Sequence, residues 1–191
     1  YVRSRIKQPV TVSDDYNFWN KPESKKIAAE LDFICLHGYA VWNQQLLANA
    51  MDWTESTYHS IQAHHPEHTI AFCETGWPTS KVSTGDSDEA RLVKAQVGEA
   101  EQKVFFDQYD HWVTENRVIS FYFTSFDEQW KGGFDGVTPM DKMEKHWGLY
   151  FSDRTPKTAF WVVQNTIMEE VVIHRADYHL VVSRPLRMLL L

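Results

Sequence analysis

The apolar run Thr69–Cys73 (TIAFC) leads directly into Glu74-Thr75-Gly76-Trp77-Pro78. A carboxylate at the end of a buried strand emerges from a dry core into a cleft. The Gly and Pro after it fix a tight exit, and the Trp77 indole offers a flat apolar face on which a sugar ring can stack. An exposed Glu followed by a turn is the bland alternative, and composition alone leaves the two even. A second cluster, Phe126-Asp127-Glu128-Gln129-Trp130-Lys131, offers two carboxylates, an indole and an ammonium within a few residues. A Lys beside a carboxylate holds it ionised. The bland alternative is a solvated charged loop, against which Trp130 is a costly side chain to leave in water. The third is His37-Gly38-Tyr39 with Trp42-Asn43 following. Period-two alternation puts His37 and Tyr39 on one face of a strand end, where both can donate hydrogen bonds to hydroxyls. His59, His64, His65 and His68 invite a metal reading, but Pro66 interrupts the helical spacing and no carboxylate is set beside them. A surface helix end is the expectation there, and no metal or organic cofactor is expected.

The elements that position these clusters follow from hydrophobic periodicity. Strands are expected over Pro9–Ser13, Leu31–Leu36, Thr69–Cys73 and Val118–Phe126, with a short one around Trp147–Phe151. Helices are expected over Pro22–Glu30, Gln44–His64, Glu89–Glu115 and Thr158–Glu169, and Lys81–Asp86 reads as a Ser/Thr/Gly loop. β-then-α units whose strands are apolar on both faces argue a parallel sheet covered by helices. A doubly wound open sheet and a (β/α)8 barrel both fit. No Gly-rich phosphate loop follows any strand, which counts against a nucleotide fold. Carboxylates, aromatics, His and Lys gather at the strand ends, where a barrel keeps its active site. A full barrel takes ~250 residues, so 191 residues with about half the strands predict the C-terminal half of a TIM barrel.

Bulk properties narrow the classes further. With 43% hydrophobic residues, disorder is excluded. A formal charge of −7 with no local Lys/Arg cluster argues against nucleic-acid binding. No apolar run approaches the ~20 residues a membrane-spanning helix needs. Cys35 and Cys73 lie in neighbouring apolar strands. If His37 and Glu74 face a common site, alternation turns the two sulfurs apart, so free buried thiols are expected. The opening Tyr1 carries no signal-like segment, and truncation is expected.

Together, ETGWP at 74–78, FDEQWK at 126–131, EKHWGLY at 144–150 and DRTPK at 153–157 resemble glycoside hydrolase family 17, the β-1,3-glucanases, particularly its bacterial and fungal branch. PVTVSDDYNFW and LHGYAVWN also resemble it, and the likeness runs from Tyr1 to about Phe160. The resemblance implies a retaining (β/α)8 barrel of which this chain carries strands 5–8, with Glu74 as nucleophile. It implies Glu128 and Lys131 as supporting residues. It also implies a β-glucan substrate, with His37, Tyr39, Trp42, Trp77, Asp127 and Trp130 binding sugar, and an extracellular, periplasmic or cell-surface location. The family's general acid is the Glu of an Asn-Glu pair ending strand four, and no Asn-Glu dipeptide occurs here.

Glu128 is a poor substitute for that acid, because an adjacent Lys lowers a carboxyl pKa where an acid needs it raised. The chain alone is therefore expected to be inactive. A half barrel also exposes two strand edges and an open apolar face, which predicts self-association and a missing N-terminal half as partner. Glucanosyl transfer and glucan binding without catalysis are the alternatives to hydrolysis. Residues 1–168 are expected to form the partial catalytic domain, with 169–191 a poorly ordered extension lacking family resemblance.

Overall fold

In a computed structural model, residues 1–82, 87–131, 142–160 and 188–190 are described, the last for backbone only. Five parallel strands form one sheet in chain order: β1 (Ser13–Asp15), β2 (Ile34–His37), β3 (Ile70–Glu74), β4 (Ile119–Tyr122) and β5 (Met188–Leu190). Between them run α1 (Tyr16–Trp19), α2 (Ser24–Ala28), α3 (Leu47–His64), α4 (Asp88–Leu92) and α5 (Glu99–Glu115).

One face of the sheet takes the helices. Ile34, Leu36, Ile70 and Phe72 alternate onto it and share one core with Ala50, Tyr58 and Ile61 of α3 and Phe105, Tyr109, Trp112 and Val113 of α5. In α5 these residues recur at i, i+4, i+7 and i+8, the spacing of a single helical stripe. Burying each large apolar side chain contributes roughly 1.5–3 kcal/mol. The Tyr109 hydroxyl, carried into this core, bonds Ser120 Oγ at 2.6 Å. Among the described residues the opposite face carries a small cluster of Cys35, Ala71 and Cys73, flanked by Phe33 and Phe121. Helices among the described residues pack against one face, which is the arrangement of a barrel wall rather than of a doubly wound sheet.

The elements differ from the sequence pattern in instructive places. The ladder of β1 starts at Ser13 rather than Pro9, because upstream the Val10 amide donates to the Asp32 side chain (2.7 Å) and Thr11 Oγ1 to Phe33 O (2.6 Å). The helix expected over Glu89–Glu115 is two helices. Lys81 Nζ donates to the carbonyls of Val93 (2.9 Å) and Ala95 (2.6 Å), diverting acceptors a continuous helix would use. Around Trp147–Phe151 there is no regular strand, only bridges from Tyr150 to Phe126 and Pro156. Residues 158–160 are helical, and the rest of the helix expected over Thr158–Glu169 lies outside the described residues, as do 83–86 of the expected loop. The β4 edge expected to lie open is paired with β5. The rest of 169–191, expected to be poorly ordered, lies outside the described residues.

Candidate active site

Glu74 ends β3, and a bulge decides where its side chain goes. The β2–β3 register runs Cys35↔Ala71 and Leu36↔Phe72, then skips to His37↔Glu74, leaving Cys73 as the extra residue. Strict alternation would send Cys73 and Glu74 to opposite faces. The inserted residue brings Glu74 back beside the neighbouring strand end. Its Oε2 accepts from the Tyr39 hydroxyl at 3.0 Å and lies 3.4 Å from His37 Nδ1. The His37 Nε2 in turn contacts Ser13 Oγ. The ends of β2 and β3 thus converge on one half-buried carboxylate, with Ser13 at the start of β1 holding His37 from behind. His37 and Tyr39 sit where alternation puts them, whereas Ser13 carried no signal beyond its place at a strand end.

The same bulge overturns the reading of the cysteines. Cys35 and Cys73 form a disulfide with Cα atoms 5.1 Å apart. The expectation of free thiols pointing apart assumed unbroken period-two alternation, and the register skip removes that assumption.

Glu128 and Lys131 pair at 2.6 Å, and the Lys131 ammonium lies 4.1 Å from the Phe123 ring centroid. Phe123 meets Tyr39 edge-to-face at 6.2 Å, so the β4 exit borders the Glu74 site. Trp130 is 53% exposed, with the Lys131 ammonium over its ring at 5.8 Å from the centroid. Trp42 is half-buried and packs against the core.

Two of the expected sugar-binding residues are placed elsewhere. Trp77 is fully buried; it packs on Phe105 and its Nε1 donates to Gln96 O at 3.2 Å, so its face is closed to a sugar. Its backbone enters the core because Gly76 lies against Phe123, where a Cβ would come 2.3 Å from the carbonyl oxygen. Asp127 is also buried. Its Oδ1 accepts from Lys157 Nζ (2.7 Å) and the Gly148 amide (3.0 Å), and its Oδ2 lies 3.5 Å from His146 Nδ1. Lys157, with no exposed side-chain surface, also donates to Thr79 Oγ1 at 2.7 Å. This ion pair ties the β3 and β4 exits to the 146–148 segment. Burial pulls the Lys157 ammonium pKa down, while Asp127 and Glu99 push it back.

Glu144, within the expected EKHWGLY motif, is a site residue the sequence reading missed. Burial raises its carboxyl pKa, with Glu89 adding to the rise and Lys131, Lys142 and Trp147 opposing it. It also acts on Tyr39, whose phenol is held well above its ordinary range by burial first, then by the Glu74 charge and hydrogen bond, with Glu144 adding to the rise. The short 3-10 turn that carries Glu144 is pinned by Glu89, whose Oε2 accepts from the Met143 amide (3.1 Å) and the Val82 amide (2.9 Å). Glu144, whose pKa burial raises, was hidden because that burial depends on a distant loop.

The histidines at the end of α3 serve packing. Nε2 atoms of His65, His64 and His68 reach the carbonyls of Trp19 (2.8 Å), Lys21 (3.3 Å) and Ala28 (2.8 Å). Among the described residues no group of His, Cys, Asp and Glu is arranged to hold a metal.

Parallel β/α units with helices on one face, and carboxylates gathered at the strand ends, define part of a barrel of the glycoside hydrolase kind. Residues 2–148 match the family model of the BtgE/BtgC glycoside hydrolase domain, and the chain belongs to that family. It is 28% identical over 155 residues to a glucan 1,3-beta-glucosidase of Schizosaccharomyces pombe, covering 78% of this chain and 44% of that protein. Among solved structures, it is similar to a glycoside hydrolase family 17 beta-1,3-glucanosyltransferase from Rhizomucor miehei (TM-score 0.62, 24% identity, 79% of this chain and 49% of that one). It is also similar to an endo-laminarinase from Formosa (TM-score 0.67, 21% identity, 83% and 47%). These two likenesses establish the fold. The chain spans about half the length of the relatives it matches.

Proposed function

We propose that this chain supplies the nucleophile-bearing half of a retaining glycoside hydrolase acting on β-1,3-glucan. The observation that carries the proposal is the convergence of Tyr39 and His37 on the Glu74 carboxylate at the end of β3. In the double displacement, a Glu74 oxygen attacks the anomeric carbon and the glycosidic C–O bond breaks, giving a glycosyl ester. A carboxyl group from outside this chain protonates the departing oxygen. It then takes a proton from the water that hydrolyses the ester. The Tyr39 hydroxyl orients the attacking carboxylate. The Lys131–Glu128 pair sets the charge at the β4 exit, and the Glu144 carboxyl is a hydrogen-bonding contact for a sugar hydroxyl. His37, Trp42 and Trp130 complete the sugar-binding contacts. The names of the relatives, a glucan 1,3-beta-glucosidase and an endo-laminarinase among them, support the choice of glucan.

A retaining site needs its two carboxyls about 5–5.5 Å apart, and the acid expected from the family lies on the half of the barrel this chain lacks. The isolated chain is therefore inactive on laminarin. An activated substrate with its own good leaving group bypasses that deficit. A 2-deoxy-2-fluoro-β-laminaribioside bearing a dinitrophenolate leaving group should leave one covalent adduct, mapped by mass spectrometry to the peptide containing Glu74. The Glu74→Gln chain should acquire none. An adduct elsewhere, no adduct at all, or laminarin turnover by the isolated chain would overturn the proposal.

A further inference from the structure

The Cys35–Cys73 disulfide lies directly beneath the site, one residue before Glu74 on β3 and two before His37 on β2. In a regular ladder Cys35 would face Ala71, and Cys73 would be its diagonal neighbour. Diagonal neighbours lie about 7–8 Å apart, beyond the roughly 4.4–6.8 Å between Cα atoms that a disulfide spans. The observed 5.1 Å is within that span because the register skips at Cys73. The cross-link therefore requires the bulge.

The alternative to the bulge is a slip of one residue, with His37 opposite Cys73. Such a slip turns the next side chain to the other face of the sheet. Glu74 would then leave Tyr39 and His37 for the side on which the helices pack. One backbone bond, Gly38 N–H to Glu74 O at 3.0 Å, also favours the bulged register. A single hydrogen bond contributes only about 0.5–1.5 kcal/mol net, whereas the cross-link removes the slipped register altogether.

We infer that the Cys35–Cys73 disulfide is a positioning element for Glu74, holding the β3 bulge that turns its carboxylate toward Tyr39 and His37. Its value for catalysis rests on Glu74 being the nucleophile, but the geometry itself can be tested without any glucan. The test follows the ¹³Cζ resonance of Tyr39, which reports the hydrogen bond its hydroxyl donates to Glu74. In the oxidised chain, Glu74→Gln should displace that resonance. A phosphine reductant delivers two electrons and takes up the oxygen of one water as the disulfide becomes two thiols. After this reduction the displacement caused by Glu74→Gln should be lost, while the amide spectrum of the core persists. The Cys35→Ala/Cys73→Ala chain should match the reduced state without any reductant. An equal displacement in the oxidised, reduced and Ala/Ala chains would overturn the inference. So would unfolding on loss of the cross-link in both the reduced and Ala/Ala chains, because the disulfide would then hold the fold rather than the site. Failure of the fluoro-sugar labelling with a normal Tyr39 response would instead count against Glu74 as nucleophile alone.

Discussion

The Tyr39 hydroxyl donates to Glu74 Oε2 at 3.0 Å, and the environment of Tyr39 keeps it a donor. Burial, the Glu74 charge and the hydrogen bond all raise the phenol pKa, so it stays protonated through neutral and mildly alkaline pH. A hydrogen bond to a charged group is worth about 1.5–3 kcal/mol. Tyr39→Phe is therefore expected to slow labelling of Glu74 by the fluoro-sugar roughly tenfold to a hundredfold. Adduct formation followed over time by mass spectrometry checks it, and an unchanged rate would show that Tyr39 does not orient the carboxylate.

The buried Asp127–Lys157 pair predicts an asymmetry between single and double variants. Lys157→Met leaves the Asp127 carboxylate buried with its ammonium partner gone. Removing one partner of such a pair costs about 3–5 kcal/mol. Asp127→Asn combined with Lys157→Met removes both charges and should recover a substantial part of that loss. Urea unfolding of the two single variants and the double one gives the coupling directly. Additive losses would mean that the pair does not act as a unit.

Gly76 is fixed by close approach. A Cβ there would meet the Phe123 carbonyl oxygen at 2.3 Å, and that oxygen belongs to the backbone, so relief requires moving a strand exit. At Gly38 the nearest atom to an added Cβ is Phe72 Cζ at 3.0 Å, part of a ring that can turn. Gly76→Ala should therefore destabilise the chain by about 3 kcal/mol and Gly38→Ala by clearly less. Comparison of thermal unfolding midpoints tests the ranking, and equal shifts would contradict it.

Where sequence and structure agree, the cause is local, and where they part, a distant partner intervenes. The β/α order was legible because β2 and β3 are apolar on both faces and end in polar residues. Alternation was enough to bring His37 and Tyr39 together. It failed one strand over, because a bulge inserts a residue without leaving a mark in the hydrophobic pattern, and so the disulfide went unseen. Trp77 and Asp127 look like ligand residues from their immediate neighbours alone. Trp77 is instead claimed by Phe105 and Gln96, and Asp127 by Lys157. The break between α4 and α5 arises the same way, because the lysine that takes the Val93 and Ala95 carbonyls is Lys81, outside both helices.

His65 makes the acid side of the stability curve the last test. It is buried, and its Nε2 donates to Trp19 O at 2.8 Å with Ser24 Oγ at 3.0 Å, a role the neutral ring already fills. Burial lowers its pKa below the ordinary 6.5, with the neighbouring His64, His68 and Lys25 also resisting a further positive charge and the Trp19 bond opposing them. A histidine whose folded pKa is depressed contributes stability that is present above its unfolded pKa and lost as pH falls through the folded value. The chain should accordingly lose thermal stability as pH drops below about 6.5, as protons bind the unfolded state in preference. His65→Gln keeps a donor for Trp19 O but cannot take up a proton, so its unfolding midpoint should change less with pH over that window. His59→Gln, at an exposed position on the same helix, should keep the dependence of the parent chain. Parallel pH profiles for the parent and His65→Gln chains would assign the acid sensitivity to other groups.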